Sequence, residues 1–483
     1  MAPADNMSTH GWATVSGRLR LLAVALPVLL AGCASTAIQH NLAETSAFAT
    51  REVGQEVQLQ STSEARAAAE SMARSLLAEP LTADGAVQIA LGYSPTFQRM
   101  LAESAAASAA ATQSARLPNP IFAYSDVAAG NFKEIDRLLT ISLLDILLLP
   151  QRLRLADQQQ VQHRLRSAGD VITTATDARQ AWVDAVAARQ SLKYAEQARK
   201  AAEAGAELGR RMAAVGNFSR IEAAREQSFY AEATADVARA QLEAQRTREI
   251  LIRLLGLSGD LAVRLTLPDR LPDLPATPDD ESVLARRAFD ERLDVALARA
   301  ELDFTARSLG LTRVTSTVNA LEIGAASKST TGEETQKGYA LELRLPIFDF
   351  GDARRANAEA DYLAALNRTA TVVAEAQSYL RESYLAYRTT YDLARHYRDE
   401  IVPLRKTISD ENLLLYNGML IGVFELLADA RDQVSSVRQA IAAQRDFWLA
   451  DATLRATLIG RPVEGAALGA PVVAPVASTA RPH

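Results

Sequence analysis

One phrase occurs twice in this chain, and it limits the possible folds more than any other feature. Near the middle the sequence reads Val215-Gly216-Asn217-Phe218-Ser219-Arg220-Ile221-Glu222-Ala223-Ala224-Arg225-Glu226-Gln227. Near the end it reads Ile421-Gly422-Val423-Phe424-Glu425-Leu426-Leu427-Ala428-Asp429-Ala430-Arg431-Asp432-Gln433. Gly, Phe, Ala, Arg and Gln recur at one spacing. In each copy a Gly interrupts a very long helical pattern and a new helix follows at once. A Gly there permits a left-handed turn. Both stretches read as tips of long helical hairpins, and two copies of one large unit imply an internal duplication.

The spacing around the tips supports this. From Arg152 to about Ala214 there is no Pro, and Gly occurs only at 169, 205 and 209. A helix of that length reaches roughly 90 Å at ~1.5 Å per residue. A shorter helix runs from about Ser219 to Leu255 and ends at Gly256. The second half repeats the order: a long helix from Asp352 to about Tyr416, a tip over 417–422, and a last helix ending at Gly460. Arg152 pairs with Arg354, 202 residues on, and the repeat favours Gly422, 206 residues on, as the equivalent of Gly216, with a tip at Gly418 as the alternative. That pairing predicts a second long helix about one turn longer than the first.

Between these helices the period changes to two. Ile121 to Asp126 alternates after Pro118-Asn119-Pro120, and Ala129-Gly130-Asn131 is a turn signal. The predicted strands are about 118–127 and 135–149 in the first half, with Pro150 closing the second. In the second half they are about 313–326 and 338–347. Upstream, Thr82 is placed to N-cap a helix carrying Ala86, Ile89 and Ala90, and Ser63 to Leu77 reads as a short helix. The domain reading is a signal peptide over 1–32, an N-terminal arm over 33–80 that is extended to about residue 60, and a first repeat over 81–256 with its tip at 214–218. A surface linker over 257–281, a second repeat over 282–460 and a tail over 461–483 complete it.

The N-terminus carries an address. Arg18 and Arg20 precede a short apolar run, Leu21 to Leu30, which is too short for an ordinary transmembrane helix. Leu30-Ala31-Gly32-Cys33 follows and resembles a bacterial lipobox, which makes Cys33 the candidate lipidation site. It is the only Cys in the chain, so no intrachain disulfide forms. Ala34 rather than Asp after it favours the outer membrane of a Gram-negative bacterium, by the same resemblance. The net charge is −6 with no basic block, which argues against nucleic acid as a partner.

Each half therefore reads helix, strand, strand, long helix, tip, shorter helix. Four strands cannot leave open edges in lipid, and a closed barrel with a lumen needs more of them, so several chains must contribute. The pattern resembles the TolC family of outer-membrane efflux channels, particularly its lipoprotein members of RND efflux systems. The resemblance rests on Leu81-Thr82 with Ala86 and Ala90-Leu91, Ser94-Pro95, Leu117-Pro118-Asn119-Pro120, Leu345-Pro346-Ile347-Phe348-Asp349-Phe350-Gly351, the two Gly tips, and the ends at 254–256 and 458–460. It spans about residues 63–460. Many members have Asn-Pro in place of Ser94-Pro95, and Arg-Pro-Asp in place of Arg292-Leu293-Asp294.

The resemblance implies a mainly α fold with a small membrane β-barrel portion. Long antiparallel helical hairpins form a trimeric α-barrel tunnel, and four strands per chain contribute to a 12-stranded barrel. It implies a homotrimer, lipid-anchored in the outer membrane and extending into the periplasm. Its partners are a periplasmic adaptor protein and an inner-membrane pump, and its role is that of a passive efflux conduit. By the same resemblance the adaptor meets the tips at Val215, Gly216, Asn217, Phe218, Ser219, Gly418, Met419, Leu420, Ile421, Gly422, Val423 and Phe424. The alternative is plain helix reversal.

An inward carboxylate in a trimer becomes a ring of three that holds cations and tunes passage. Glu425, Asp429, Asp432, Glu222 and Glu226 are the constriction candidates, with Arg225 and Arg431 as salt-bridge partners between helices. A solvated charged face is the alternative. Met212 and Met419 lie near the tips, but the five His have no ligand spacing, so no metal site is assigned. No cofactor is expected beyond the covalent lipid on Cys33. No phosphate loop, HExxH or nucleophile elbow occurs, so an enzyme is not expected. Two other functions compete with the channel: a non-pore periplasmic coiled-coil scaffold lipoprotein and a type I secretion exit duct.

Overall fold

The computed structural model describes residues 36–279, 292–316, 320–345 and 347–461, with the side chain of Phe424 excepted. The signal peptide, Cys33, residues 280–291 at the start of the second repeat and the tail beyond Arg461 lie outside the described residues. The chain divides into two compact units.

The first unit draws on residues 1–47, 101–166 and 298–368. It contains a four-stranded antiparallel sheet in the order β1-β2-β3-β4. β1 is Ile121–Ala129, β2 Phe132–Ser142, β3 Leu321–Thr330 and β4 Gln336–Leu343. The β1–β2 register runs from Ile121 opposite Thr140 to Ala129 opposite Phe132, about a turn at Gly130 with φ +60°. β2 pairs with β3 from Glu134 opposite Thr330 to Ser142 opposite Glu322. β3 pairs with β4 from Leu321 opposite Leu343 to Lys328 opposite Gln336. Among the described residues, β1 and β4 thus each have one edge with no partner strand.

Several sequence expectations change here. The expected strand over 135–149 ends at Ser142, and a helix of 72 residues, Leu143–Ala214, begins at once. The reason is local: Ser142 Oγ accepts from Asp145 N at 3.3 Å, an N-cap that starts a helix through the Leu-rich run. Leu is as good a helix former as any after Ala, so composition did not decide the matter. Pro150 lies inside the helix rather than closing a strand. Arg152 steadies this first segment through Asp145 at 2.6 Å and the carbonyl of Ser114.

The third strand begins later than expected, because a helix over Leu293–Thr315 runs through part of the predicted span. The fourth lies at Gln336–Leu343 rather than 338–347. The arm expected to be extended is helical over residues 36–53. Of its three buried positions, Asn41, Thr45 and Ala49, only Ala49 is apolar, so no apolar period showed. Asn41 and Thr45 are buried; Asn41 Nδ2 donates to Ser108 Oγ at 2.7 Å and to Gln160 Oε1, and Thr45 Oγ1 donates to the carbonyl of Asn41 at 2.9 Å.

The second unit draws on residues 48–100, 167–297 and 369–483. Helices Ser63–Leu76, Ala83–Gly92 and Pro95–Ser114 lead into it, and Thr82 accepts from Gly85 N at 3.0 Å as the N-cap. Trp182 Nε1 donates to the carbonyl of Leu81 at 2.7 Å inside a core of Leu81, Ile89, Leu91, Phe97, Leu251 and Leu255. A second core joins Tyr387, Tyr391 and Phe447, with Trp448 packed edge-on against Phe447.

The linker is not a loose surface segment. Residues 265–274 bury Leu265, Leu267, Leu271 and Leu274. Its carbonyls are taken by Trp448 Nε1 at Pro272 (3.1 Å) and Tyr391 Oη at Pro275 (3.0 Å). It is a strap laid over the aromatic cluster.

The chain also forms two long hairpins. In the first, the Leu143–Ala214 helix turns into Arg220–Leu255. In the second, a helix over Asp352–His396 continues through a π-helical turn, Tyr397–Ile401, into Val402–Asn417, and then turns into Val423–Ile459. The expected unbroken helix from Asp352 is thus interrupted. Pro403 has no N–H to offer the preceding turn, and the π turn takes up the mismatch.

Candidate functional site

The tips are built by one backbone motif used twice. In the first, Asn217 N bonds to the carbonyl of Met212 at 2.9 Å and Gly216 N to that of Ala213 at 3.2 Å. In the second, Leu420 N bonds to Leu415 at 2.8 Å and Met419 N to Tyr416 at 2.9 Å. Both are Schellman helix ends, with Gly216 at φ +80° and Met419 at φ +58° in the left-handed position.

The following helices start alike. Ser219 caps the first, accepting from Glu222 N at 3.2 Å, while Glu222 accepts from Ser219 N at 2.6 Å. Gly422 caps the second, and Glu425 accepts from Gly422 N at 2.6 Å.

This geometry corrects the register of the repeat. Gly216 and Met419, Ser219 and Gly422, Glu222 and Glu425 each lie 203 residues apart. Gly216 therefore matches Met419 and not Gly422. Measured from Arg152 and Arg354, 202 apart, the two hairpins reach their tips within one residue of the same length. The expected extra turn does not exist. The two Gly-Phe phrases therefore match in sequence three residues out of register with the backbone of the turns.

Exposure at the tips is high for apolar groups: Val215 73%, Met419 93% and Leu420 74%. Gly216, Asn217, Ser219, Gly418 and Gly422 are also exposed, Phe218 and Ile421 are half-buried at equivalent positions, and Val423 is buried.

The charged candidates separate into three roles. Glu222 and Glu425 serve as caps of their own helices. The hydrogen bond from Ser219 N holds the Glu222 carboxyl below its ordinary range, with Arg225 adding to the effect. Asp432 pairs with Arg405 across the second hairpin at 3.1 Å. Glu226 is wholly buried and is ion-paired with Arg431, which joins the first hairpin to the second. The guanidinium of Arg431 also lies over the Phe229 ring, 4.9 Å from its centroid. Asp429, the repeat equivalent of Glu226, is likewise buried. The structure thus brings Glu226 and Arg431 together.

Sequence reasoning missed the groups that make room for this pair. A Cβ on Gly209 would sit 3.4 Å from Glu226 Cβ and Cγ. One on Gly205 would meet Leu427 Cδ2 at 3.3 Å and Glu226 Oε2 at 3.5 Å. The signal was present: two Gly four apart on one face of an otherwise Gly-poor helix. Among the described residues no cluster of metal-ligating side chains occurs, and no described helix is long and apolar enough to cross a membrane.

No family model matches this sequence, and no curated protein does. Solved structures do match. VceC, an outer membrane protein from Vibrio cholerae, aligns with a TM-score of 0.65 over 78% of this chain and 96% of its own, at 14% identity. A membrane protein from Pseudomonas aeruginosa gives a TM-score of 0.65 over 78% of this chain and 93% of its own, at 18% identity. The CmeC outer membrane channel from Campylobacter jejuni gives 0.63 over 81% and 85%, at 13% identity.

Proposed function

We propose that this chain, which has the fold of the TolC-type outer-membrane channels, is the outer-membrane channel subunit of a tripartite efflux pump. The observation that carries the proposal is the sheet with two open edges. Among the described residues, β1 and β4 each leave one row of backbone groups without a strand partner, and these must be paired before the sheet enters lipid. Three copies joined β4 to β1 give a closed barrel of twelve strands. Most side chains of β1 and β4 are exposed within the single chain, including Phe122, Tyr124, Tyr339 and Leu341. A barrel presents such residues to lipid on one face and to its lumen on the other.

In this reading an acyl group on Cys33 anchors the chain in the outer membrane, the helical hairpins line a tunnel through the periplasm, and the tips dock a periplasmic adaptor. The adaptor links the channel to an inner-membrane pump that supplies the energy. Buried pairs such as Glu226 with Arg431 hold the hairpins together near the tips. The scaffold reading leaves the sheet edges without a purpose.

The direct test is the mass of the purified, lipidated protein in detergent. A trimer that loses its subunit contacts when the β1 edge is disrupted supports the reading. A monomer that retains the full sheet contradicts it.

A further inference from the structure

The two tips share a backbone and differ in chemistry. At the left-handed position the first tip has Gly216 and the second Met419. Gly takes this conformation without penalty, whereas a residue with a Cβ crowds its own carbonyl there. Met419 is the only non-Gly residue with positive φ among the described residues. The residue is also 93% exposed, so no packing among the described residues offsets the crowding. Nothing in the monomer's stability accounts for Met at a site where the repeat's other copy uses Gly.

The surroundings differ in the same sense. Residues 412–424 carry no charged side chain. The matching residues 209–221 carry Arg210, Arg211 and Arg220, and Arg211 Nε is paired with Glu207 at 2.7 Å. The second tip is thus a neutral, apolar point flanked by Leu420, and the first is a charged one. A backbone outlier that disfavours the isolated chain signals a function for the side chain it displays. A thioether on three rotatable bonds adapts to an irregular apolar socket.

We infer that Met419 is the specificity-determining anchor of the second tip, inserted into an uncharged apolar socket of the adaptor, while the first tip makes polar and charged contacts. This rests on the reading of the tips as adaptor-docking surfaces. It explains why two tips of equal length are chemically unlike: one fixes the partner by charge, the other by an apolar plug.

Opposite signs for stability and function give the test. Met419→Gly relieves the crowding and removes the plug; Met419→Leu keeps an apolar plug. Each full-length variant replaces the chromosomal copy in the native host. Export is read as resistance to a compound that deletion of the gene makes toxic, and the purified variant is melted in detergent.

The expected result is that Met419→Gly melts at or above the wild-type temperature while resistance falls at least tenfold toward the deletion, with Met419→Leu near wild type. Wild-type resistance for Met419→Gly, while Gly216→Val at the first tip loses it, overturns the anchor role and leaves the docking reading standing. Wild-type resistance for both variants overturns the docking reading itself. A lower melting temperature for Met419→Gly overturns the inference in another way, because Met419 is then a structural residue.

Discussion

Glu226, with no exposed side-chain surface, is ion-paired with Arg431 of the other hairpin, and Gly209 makes the space it occupies. Both copies of the repeat bury an acid at this level, since Asp429 lies 203 residues after Glu226 and is also buried. The hairpins are therefore joined by charge where their helices approach the tips.

Removing one partner should be worse than removing both. Arg431→Met leaves Glu226 buried without its cation, and such a change costs about 3–5 kcal/mol. Glu226→Gln with Arg431→Met should recover most of that loss. The measurement is a double-mutant cycle on unfolding of the purified protein; additive losses would show that the two side chains do not act as a pair.

The second half has its own lock at the opposite end of its last helix. Arg292 is buried, donating through Nη1 to the carbonyl of Thr457 at 2.7 Å and pairing with Asp294 at 2.7 Å. Asp294 N in turn donates to the carbonyl of Gly460 at 3.1 Å. Arg292→Lys keeps the charge but not the planar fork. It should lower stability by about 1–3 kcal/mol, the range for a buried polar group left unsatisfied, and Arg292→Leu by more. Equal stability of the Lys variant and the wild type would show that the fork is not needed.

Closure of the barrel can be read chemically. A Cys panel along residues 121–129 of β1, combined with a single Cys at Tyr339 of β4, should give covalent dimers and trimers for at least one register. β1 and β4 are opposite edges of one chain's sheet, so intrachain bridges should not form. Bridges confined to single chains would contradict strand pairing between subunits.

Much of the fold was legible from local rules. Thr82 as an N-cap, the strand-pair turn at Gly130, the terminal Gly256 and Gly460, and the duplicated order of elements all follow from short-range chemistry. What was not legible depends on tertiary partners or on weak competing signals. The helix over 36–53 turns Asn41 and Thr45 inward, and Asn41 is acceptable there because Ser108 and Gln160 take its amide, while Thr45 bonds back to the carbonyl of Asn41. The start of the long helix at Leu143 turns on one Ser142 hydroxyl inside an apolar run. At the tips the turn was visible but its register was not, because Gly422 draws attention as a Gly while Met419 takes the left-handed backbone. Ser219 and Glu222 also spell a capping box, a local use that a lumen reading of Glu222 passes over.

The first cap should be sensitive to acid. Glu222 has its pKa lowered by the hydrogen bond from Ser219 N. Its contribution to the tip is therefore present above the ordinary Glu range and is lost as pH falls through the lower folded value. Hydrogen exchange at the Ser219 amide should lose protection over that acid range in the wild type. Glu222→Gln should show no such step. A step of equal size in both proteins would assign the change to another group.

The proposed channel requires three chains to form one pore. Single-channel recording of the purified, lipidated protein in a planar bilayer tests this most directly. The account predicts discrete conductance steps from a trimeric species, abolished when β1 can no longer pair with its neighbour. A trimer-free preparation, or a trimer that inserts and carries no current under any condition that detaches the tip contacts, would contradict it.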